Sequence, residues 1–266
     1  MAHPPGDPVA IELTAAYEDL TFMTPLSQTR ADTLVGFLAD GLAAAAHPLV
    51  LDVGCGWAEL LLQVLDAVPS ATGIGVDANP DAITHGHTLA ESRGTAGRVE
   101  LHCADARTGS PEAADAVICI GASQIWGPPV EDAQPLDYTA ALSALRALVP
   151  RGHRVLYGES IWSQPPTPTA TAPLAGRNDE YLTLPELLEL AVDHGFAPLQ
   201  VHQASLDEWD VFESGYSARY ARWLADHDAV HPNRGEVLKR AGQQRSAYFG
   251  GYRGVLGLTY LGLIAV

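Results

Sequence analysis

Four acidic residues stand at or just past the ends of apolar segments: Asp52, Asp77, Asp105 and Glu159. A glycine turn at residues 54–56 follows the first of them. Carboxylates accept hydrogen bonds from hydroxyl groups and attract cations, and glycine lets the backbone approach a ligand closely. These residue types therefore predict a site for a small polar molecule that carries positive charge.

The glycine turn does not fit the two common phosphate-binding patterns. A dinucleotide site needs a third glycine where this chain has Glu59, and a carboxylate is unfavourable beside a pyrophosphate. A P-loop needs a Gly-Lys-Ser or Gly-Lys-Thr sequence, which does not follow the turn. A chance Gly-x-Gly is the simplest alternative. The apolar run before the turn and the helical pattern after it favour a ligand-binding turn.

Strand-like apolar runs alternate with helical patterns between residues 49 and 159. Strands are predicted at 49–53, 71–77, 98–102, 115–120 and 153–157, and helices at 57–68, 80–93 and 136–148. Such alternation is typical of a doubly wound, mostly parallel α/β sheet with helices on both faces. Because ligands of these sheets bind at the carboxyl ends of the strands, we expect the four acids to converge at one edge.

The rest of the chain is expected to extend this sheet and to cover it. Further strands are predicted at 196–203 and 255–266, which brings the sheet to seven strands, with helices at 9–20, 29–46, 185–194, 207–227 and 235–249 and an irregular loop at 163–176. We expect a single domain with an N-terminal helical cap (1–46), a core (49–204), a helical insertion (207–249) and a last strand (254–266). The cap and the insertion are predicted to form a lid over the site. The alternative is that the insertion forms a homodimer surface or covers a sheet flank.

The net charge and residue content of the chain disfavour some classes of binding partner. The chain has 266 residues and a formal net charge of −17, which disfavours nucleic acid and anionic membrane surfaces. No apolar segment is long enough to span a bilayer. Because Cys55, Cys103 and Cys119 show no repeated spacing, we expect a reduced, cytoplasmic protein. No zinc-ligand pattern accompanies the histidines, so no metal is expected.

Five short motifs, taken in order, resemble those of the class I S-adenosylmethionine-dependent methyltransferases. They are residues 51–56 (LDVGCG), 75–77 (GVD), 103–106 (CADA), 115–121 (DAVICIG) and 148–152 (LVPRG). Arginine at the fourth position of the last motif departs from the family's Leu-x-Pro-Gly-Gly turn. The resemblance covers residues 50–159 well and the remainder loosely. It implies the family's Rossmann-like fold and its methyl-transfer activity.

The resemblance also implies a cofactor, S-adenosyl-L-methionine, and residues that bind it. In the family, the glycine turn lies against the methionine part, the acid of the second motif accepts both ribose hydroxyls, and the acid of the third meets the adenine amino group. Carried onto this chain, the cofactor-binding residues are Asp52, Gly54, Cys55, Gly56, Asp77, Ala78, Asn79, Asp105, Ala106, Gly121 and Ala122.

A narrower resemblance links the chain to a bacterial subgroup related to the YjhP proteins. It rests on residues 121–123 (GAS), on residues 158–162 and on the predicted helix around Trp209. The subgroup implies no particular substrate. The chain lacks an Asn/Asp-Pro-Pro-Tyr run after the fourth strand, which disfavours the branches that methylate nucleic acids or glutamine amides. We therefore expect a small-molecule acceptor.

Methyl transfer from a sulfonium is an in-line displacement, to which an enzyme contributes mainly placement. Glu159 is the predicted catalytic base for an acceptor that must lose a proton, with a hydrogen-bonding role as the alternative. Aromatic side chains suit the wall of a dry pocket around a cationic methyl group. The predicted substrate-binding wall residues are Tyr17, Trp126, Trp162, Tyr181, Trp209 and Tyr216, and ordinary core packing is the alternative for each.

Two other functions stay open at this point. An NAD-dependent oxidoreductase shares the strand–glycine–helix unit, although it needs a turn that accepts a pyrophosphate. A non-catalytic S-adenosylmethionine-binding module would keep the cofactor site and lack an acceptor pocket. Binding of S-adenosylhomocysteine rather than NAD would separate the first of these from a methyltransferase.

Overall fold

A seven-stranded β-sheet forms the centre of the protein in a computed structural model that describes residues 11–109, 113–127, 135–174 and 176–266. Its strands are β1 (Leu49–Val53), β2 (Thr72–Asp77), β3 (Val99–Cys103), β4 (Ala116–Ile120), β5 (Arg154–Trp162), β6 (Phe196–Gln203) and β7 (Leu256–Ala265). They lie in the order β3-β2-β1-β4-β5-β7-β6. Strands β1 to β5 pair in parallel, and β7 runs antiparallel to both β5 and β6. The predicted mostly parallel seven-stranded sheet is confirmed.

The helices follow the strands in the order that the sequence predicts. The α-helices within the described residues are α1 (Gln28–Leu42), α2 (Glu59–Ala67), α3 (Pro80–Arg93), α4 (Ala106–Gly109), α5 (Tyr138–Leu148), α6 (Pro168–Thr171), α7 (Leu184–Asp193), α8 (Leu206–Asp226) and α9 (Arg234–Ala247). A π-helical turn, Tyr248–Tyr252, joins α9 to the approach of β7. The two helices predicted between the last two strands are therefore present as α8 and α9.

Apolar side chains pack in one layer on each face of the sheet. On one face, Val50 of β1 belongs to a layer with Leu34 of α1 and Leu61 of α2. On the other face, Val117 of β4 belongs to a layer with Leu142 of α5. All five side chains are fully buried. Complete burial of such a side chain contributes about 1.5–3 kcal/mol, which explains why the parallel strands are apolar on both faces.

Capping residues mark the starts of two helices. The side-chain oxygen of Asn79 accepts hydrogen bonds from the backbone N–H groups of Asp81 and Ala82 at the start of α3. Asn79 is therefore the N-cap of α3, a position at which asparagine is strongly preferred. At the start of α8, Ser205 and Glu208 form a capping box in which each side chain accepts from the other residue's backbone.

Glu208 also joins α8 to α1. Its carboxylate accepts hydrogen bonds from the backbone N–H and the hydroxyl of Ser27, which caps α1, and from the guanidinium of Arg30. Burial raises the pKa of Glu208, but the surrounding donors outweigh burial and lower the pKa to about 2. One carboxylate thus connects residues that are 181 positions apart.

The predicted helix at 9–20 is wrong over the part that the structure describes. Residues 11–15 have no regular structure, and the 3-10 turn Ala16–Glu18 follows them. Residues 1–10 lie outside the described residues. The chain then continues through residues 20–26, here called the strap, which are not part of a helix. Pro25 within the strap has no N–H group to donate to a helix, and it disfavours a helical residue before it.

Two predictions about the segment after β4 also need correction. The fifth strand does not end at residue 157, because its antiparallel pairing with β7 continues as far as Trp162 opposite Leu256. The loop predicted at 163–176 is not wholly irregular, since it contains α6 and the 3-10 turn Ala172–Leu174. Thr167 caps α6 by accepting from the backbone N–H of Ala170.

Candidate functional site

A cavity of about 620 Å³ opens at the carboxyl ends of β1, β2, β3 and β4. This volume lies within the range of pockets that enclose small molecules. Three of the four predicted acids, Asp52, Asp77 and Asp105, line the cavity. Ten of the eleven predicted cofactor-binding residues line it, and Asn79 instead caps the adjacent helix α3. The topology therefore brings the predicted residues together, and their binding roles stay predictions.

The glycine turn after β1 has backbone angles that favour glycine. Gly54 has a φ of 72° and Gly56 a φ of 55°, both in the left-handed region. A Cβ atom at Gly54 would lie 2.5 Å from the Cβ of Ala122, so no side chain fits between the turn and the loop after β4. A Cβ at Gly56 would meet nothing within 4 Å. The turn is therefore tight on one side and open on the other.

Asp77 ends β2 with both carboxylate oxygens fixed. One oxygen accepts a hydrogen bond from the backbone N–H of Gly56 at 2.8 Å, and the other accepts from the backbone N–H of Asn79 at 2.8 Å. Each carboxylate oxygen has a second lone pair. The geometry thus leaves Asp77 able to accept two further hydrogen bonds, which suits a vicinal diol.

Asp52 is buried, with 4% of its surface exposed, and it lines the floor of the cavity. Its carboxylate makes no hydrogen bond to the part of the chain that the structure describes, although its backbone pairs with β2 and β4. Burial, followed by the nearby charge of Asp77, raises the pKa of Asp52 to about 8. A cation in the cavity would favour its ionised form.

Asp105 pairs with Arg107 at the outer rim of the cavity. The guanidinium of Arg107 donates to both carboxylate oxygens, at distances between 2.6 and 3.1 Å. These bonds hold the pKa of Asp105 below its usual value. Arg107 was not among the residues predicted from the sequence, although an arginine two residues after the predicted acid indicates a possible ion pair. A ligand that bonds to Asp105 must share the carboxylate with this arginine.

The strap belongs to the N-terminal cap that was predicted to cover the site, and it forms the wall of the cavity opposite the sheet, although none of its residues was among the predicted site residues. Phe22, Met23, Thr24 and Leu26 all line the cavity. The indole N–H of Trp57 donates to the carbonyl of Thr21 at 2.8 Å, just beyond the glycine turn. At the other end of the strap, the hydroxyl of Tyr260 donates to the carbonyl of Pro25 at 2.9 Å. Hydrogen bonds to Trp57, which precedes α2, and to Tyr260 of β7 therefore hold the strap in place.

The loop after β4 completes the cavity. Gly121 has a φ of 63° and open space where a side chain would stand. The 3-10 turn Ser123–Ile125 follows, and Gln124, Ile125 and Gly127 line the cavity with Ala122. The described residues resume at 135.

Glu159 lies inside β5 and faces away from the cavity. A Cβ at the preceding Gly158 would lie 3.0 Å from Ile120, a residue of the cavity wall. Because side chains alternate between the two faces of a strand, Glu159 points into the opposite layer. There it accepts a hydrogen bond from the backbone N–H of Ser123 at 3.2 Å, and burial raises its pKa. The expected position at the mouth of its strand is wrong, because β5 continues past Glu159 to Trp162.

None of the six predicted wall residues lines the cavity, so the expected aromatic wall is wrong for this site. The six residues, all described, are Tyr17, Trp126, Trp162, Tyr181, Trp209 and Tyr216. Their large rings bury more area by packing against one another and against the core than they would at a cavity wall.

Contacts elsewhere account for these aromatic side chains. The rings of Trp162 and Tyr181 meet edge to face with centroids 5.3 Å apart. Tyr17 stacks on His85 at 3.9 Å. Trp126 packs against the second apolar layer. The remaining two belong to α8, where Trp209 contacts the rings of Phe212, Tyr248 and Tyr252, and Tyr216 lies against Arg219.

A second cavity of about 440 Å³ lies between the strap and the first turns of α8. It shares Phe22, Thr24 and Leu26 with the first cavity, so the strap separates the two. Of the predicted helical insertion, α8 lines this second space, and neither α8 nor α9 lines the cavity over the strand ends. Among the described residues, no helix is long and apolar enough to cross a membrane.

Known proteins resemble this chain in sequence. Residues 50–148 match a protein family described as a methyltransferase domain. The methyltransferase ungE' of Aspergillus campestris is 33% identical over 172 residues, which cover 62% of this chain and 46% of that protein. This chain thus spans less than half of the length of that relative. YjhP of Escherichia coli, an uncharacterized protein, is 28% identical over 178 residues, which cover 66% of this chain and 68% of YjhP.

Solved structures resemble the chain over nearly its whole length. An S-adenosylmethionine-dependent methyltransferase of Thiobacillus denitrificans, crystallised with S-adenosylhomocysteine, is 26% identical with a TM-score of 0.78, covering 94% of this chain and 96% of that one. The crystal structure of YjhP has a TM-score of 0.76 at 24% identity, covering 94% of this chain and 98% of YjhP. Together with the order of its strands and the glycine turn after β1, these likenesses show that the chain has the Rossmann-like fold of S-adenosylmethionine-dependent methyltransferases, and that residues 50–148 resemble a methyltransferase domain.

Proposed function

We propose that this protein transfers a methyl group from S-adenosyl-L-methionine to a small-molecule acceptor, with the accepting atom (O, N, S or C) left open. One observation carries the proposal: the three carboxylates and the glycine turn that the family's motifs predict line one cavity of about 620 Å³. The formal net charge of −17 supports a small molecule over nucleic acid as the partner, and we infer a cytoplasmic location from the unpaired cysteines.

The residues of the cavity fit the proposed cofactor. The open side of the glycine turn leaves room for a ligand against bare backbone at Gly56 and Gly121. Asp77 has two acceptor positions left for a ribose diol, and its carboxylate makes short, charge-assisted hydrogen bonds. Asp105 would accept from the adenine amino group at the rim. Asp52 on the cavity floor would face the cationic methionine end.

The cofactor supplies a methyl group made electrophilic by a positively charged sulfur. The residues of the chain supply placement, which can contribute roughly 7–11 kcal/mol when donor and acceptor are held in near-attack geometry. Asp77 and Asp105 would orient the nucleoside, and the strap would exclude water from the cavity. Asp52 and Asp77 together make the floor of the cavity attractive to a cation.

A dinucleotide is the less suitable ligand for this cavity. Glu59, which also lines the cavity, begins α2 where a pyrophosphate would need the free N–H groups of a helix start. Its carboxylate pairs with Arg93 at 2.5 Å, which neutralises part of its charge. The carboxylate of Asp77 forms no ion pair with a described residue, and it disfavours phosphate.

Calorimetric titration with S-adenosylhomocysteine and with NAD tests the proposal. We expect S-adenosylhomocysteine to bind and NAD to bind far more weakly or not at all. In Asp77→Ala, loss of two charge-assisted hydrogen bonds should weaken S-adenosylhomocysteine binding on the order of 100-fold.

Asp81→Ala is the matched control for this titration, because Asp81 lies exposed in the first turn of the adjacent helix α3 and does not line the cavity. Its affinity should stay within about threefold of the unchanged protein, as for other surface substitutions. Tighter binding of NAD, or equal affinities in the two variants, would contradict the proposal. Binding without turnover on any acceptor would favour a non-catalytic module.

A further inference from the structure

The cavity has two chemically different ends. The end over β2 and β3 contains Asp77, Asp105 and Arg107. The end between the strap and the loop after β4 is lined by apolar side chains: Phe22, Met23, Leu26, Ile120, Ala122 and Ile125. If the charged end holds the nucleoside, as proposed above, the apolar end is the space left for the acceptor.

The apolar end lies directly beside the glycine turn. A Cβ at Gly54 would stand 2.5 Å from the Cβ of Ala122 and 3.5 Å from the Cδ1 of Ile125. The strap reaches the same place from the other side, because Trp57, which follows the turn, donates to the carbonyl of Thr21. Both apolar segments therefore border the place where the methionine end of the cofactor is proposed to lie.

These two segments contain no group suited to take a proton. Residues 20–26 (LTFMTPL) and 118–127 (ICIGASQIWG) have no aspartate, glutamate, histidine, lysine, arginine or tyrosine. Cys119 belongs to the layer on the opposite face of the sheet and is fully buried, which keeps its pKa high. Thr24 and Gln124 are the polar side chains at this end of the described cavity. Thr24 shares a hydrogen bond with Tyr260 at 3.2 Å, and the amide of Gln124 donates to the carbonyl of Gly121 at 3.3 Å.

From this composition we infer that the acceptor is an apolar molecule, uncharged where it contacts the protein, that reacts without a general base from the strap or from the loop after β4. Its nucleophile must already hold an available electron pair, as a neutral amine, an electron-rich carbon–carbon double bond or a thiolate that faces the cationic sulfur of the cofactor does. That electron pair forms the bond to the methyl carbon, the carbon–sulfur bond breaks with its pair left on sulfur, and any proton on the product then leaves to water. The inference rests on the proposed function.

The second cavity offers the opposite chemistry. Its walls include Asp19, Arg30, Asp207 and Glu208, so a ligand there would be polar or charged. Only the thin wall of the strap lies between the two spaces. An acceptor that reacted from the second cavity would overturn the inference, and the experiment is designed to detect it.

Binding of three matched probes to the protein saturated with S-adenosylhomocysteine tests the acceptor class. The probes are hexan-1-ol, hexanoate and hexan-1-ammonium, which share a chain length and differ in charge. Hexan-1-ol should bind at least about tenfold more tightly than either ion, because an unpaired charge in an apolar pocket loses its hydration. Equal or tighter binding of an ion would overturn the inference.

Two exposed positions locate the probe. Met23 lies 46% exposed on the strap and lines the first cavity, and Val211 lies 68% exposed on α8 and lines the second. Met23→Asp should weaken hexan-1-ol binding about tenfold, because it introduces a carboxylate into the apolar end, whereas Val211→Asp should leave it within about threefold. The reverse pattern would assign the acceptor to the second cavity. Failure of the unchanged protein to bind S-adenosylhomocysteine would instead be a failure of the proposed function.

A reactive probe tests the absence of a base. With hexane-1-thiol as acceptor and saturating cofactor, the rate of S-adenosylhomocysteine formation should rise with pH along the ionisation of the thiol alone. Glu159→Gln should leave the shape of that profile unchanged, since Glu159 faces the opposite layer. A second ionisation at lower pH, lost in Glu159→Gln, would identify a protein base and overturn the inference.

Discussion

The two ends of the cavity over the strand tips differ in how the chain builds them. The charged end uses residues at or just past the carboxyl ends of β1, β2 and β3, so the sheet alone determines where Asp52, Asp77 and Asp105 lie. The apolar end uses the strap and the loop after β4, which are about 100 positions apart in the sequence (residues 20–26 and 118–127). The charged end is therefore a local consequence of the strands. The apolar end depends on long-range packing.

The largest expected effect comes from the point where the two ends meet. Gly54→Ala would place a Cβ 2.5 Å from the Cβ of Ala122 at a φ of 72°. Left-handed strain of about 1–2 kcal/mol and overpacking of about 1–3 kcal/mol should together weaken S-adenosylhomocysteine binding on the order of 100-fold. Isothermal titration calorimetry measures this change, with thermal unfolding as a check on the fold.

Two companion variants sharpen that measurement. Gly94→Ala has a similar φ of 70° but meets nothing within 4 Å, so it should carry the strain without the loss of binding. Ala122→Gly in the Gly54→Ala background removes the overlapping atom and should restore part of the affinity. If Gly94→Ala weakens binding as much as Gly54→Ala, the contact between the two ends is not the cause.

A smaller effect is expected at the floor of the charged end. With its pKa raised to about 8 by burial and by Asp77, Asp52 must lose a proton before it can attract a cation at neutral pH. Affinity for S-adenosylmethionine should therefore increase from pH 6 to pH 8, by at most about tenfold per pH unit. Asp52→Asn should flatten this dependence and lower the affinity at pH 8 about tenfold.

The contribution of Asp52 to the free energy of unfolding should change with pH in the direction opposite to the affinity for the cofactor. A carboxyl whose pKa is higher in the folded chain holds its proton more tightly there, so its contribution to the free energy of unfolding falls as pH rises from 3.8 through about 8. In Asp52→Asn that decline should be absent from the melting temperature measured across the same range. An affinity that falls with rising pH would contradict the assignment of Asp52 to the cation.

The smallest effect is expected at the rim. Arg107→Ala would free the carboxylate of Asp105 from the bonds that now occupy both of its oxygens. Because the pair is exposed, S-adenosylhomocysteine affinity should change by no more than about threefold, towards tighter binding. A large loss of affinity would mean that Arg107 itself holds the ligand.

Much of the charged end could be predicted from the sequence. Apolar runs predict where the strands lie in the sequence, and residues at the ends of parallel strands all lie at the carboxyl edge of the sheet. Ten predicted residues therefore line one cavity, from Asp52 at its floor to Asp105 at its rim. Arg107 was missed because its role depends on a side-chain pair, which strand patterns do not reveal.

The apolar end could not be predicted in the same way. The length of β5 is set by its pairing with β7, a strand about 100 positions later in the sequence. Because β5 is longer than predicted, Glu159 lies inside the strand and not at its mouth. The large aromatic side chains were expected in the pocket because of their chemistry. In the structure they lie outside the pocket, because Trp209 and Trp162 each pack against other aromatic rings. Phe22, Met23, Thr24 and Leu26 of the strap line the cavity instead.

The hydrogen bonds of Glu208 and Tyr260 have a consequence for how the chain folds during its synthesis. The strap and α1 leave the ribosome among the earliest segments, yet Ser27, Arg30 and Pro25 find these partners only in the last quarter of the chain. Because a domain folds as a unit, the strap and α1 can reach their final positions only after Glu208 and Tyr260 have been synthesised, 181 positions after Ser27 and 235 positions after Pro25.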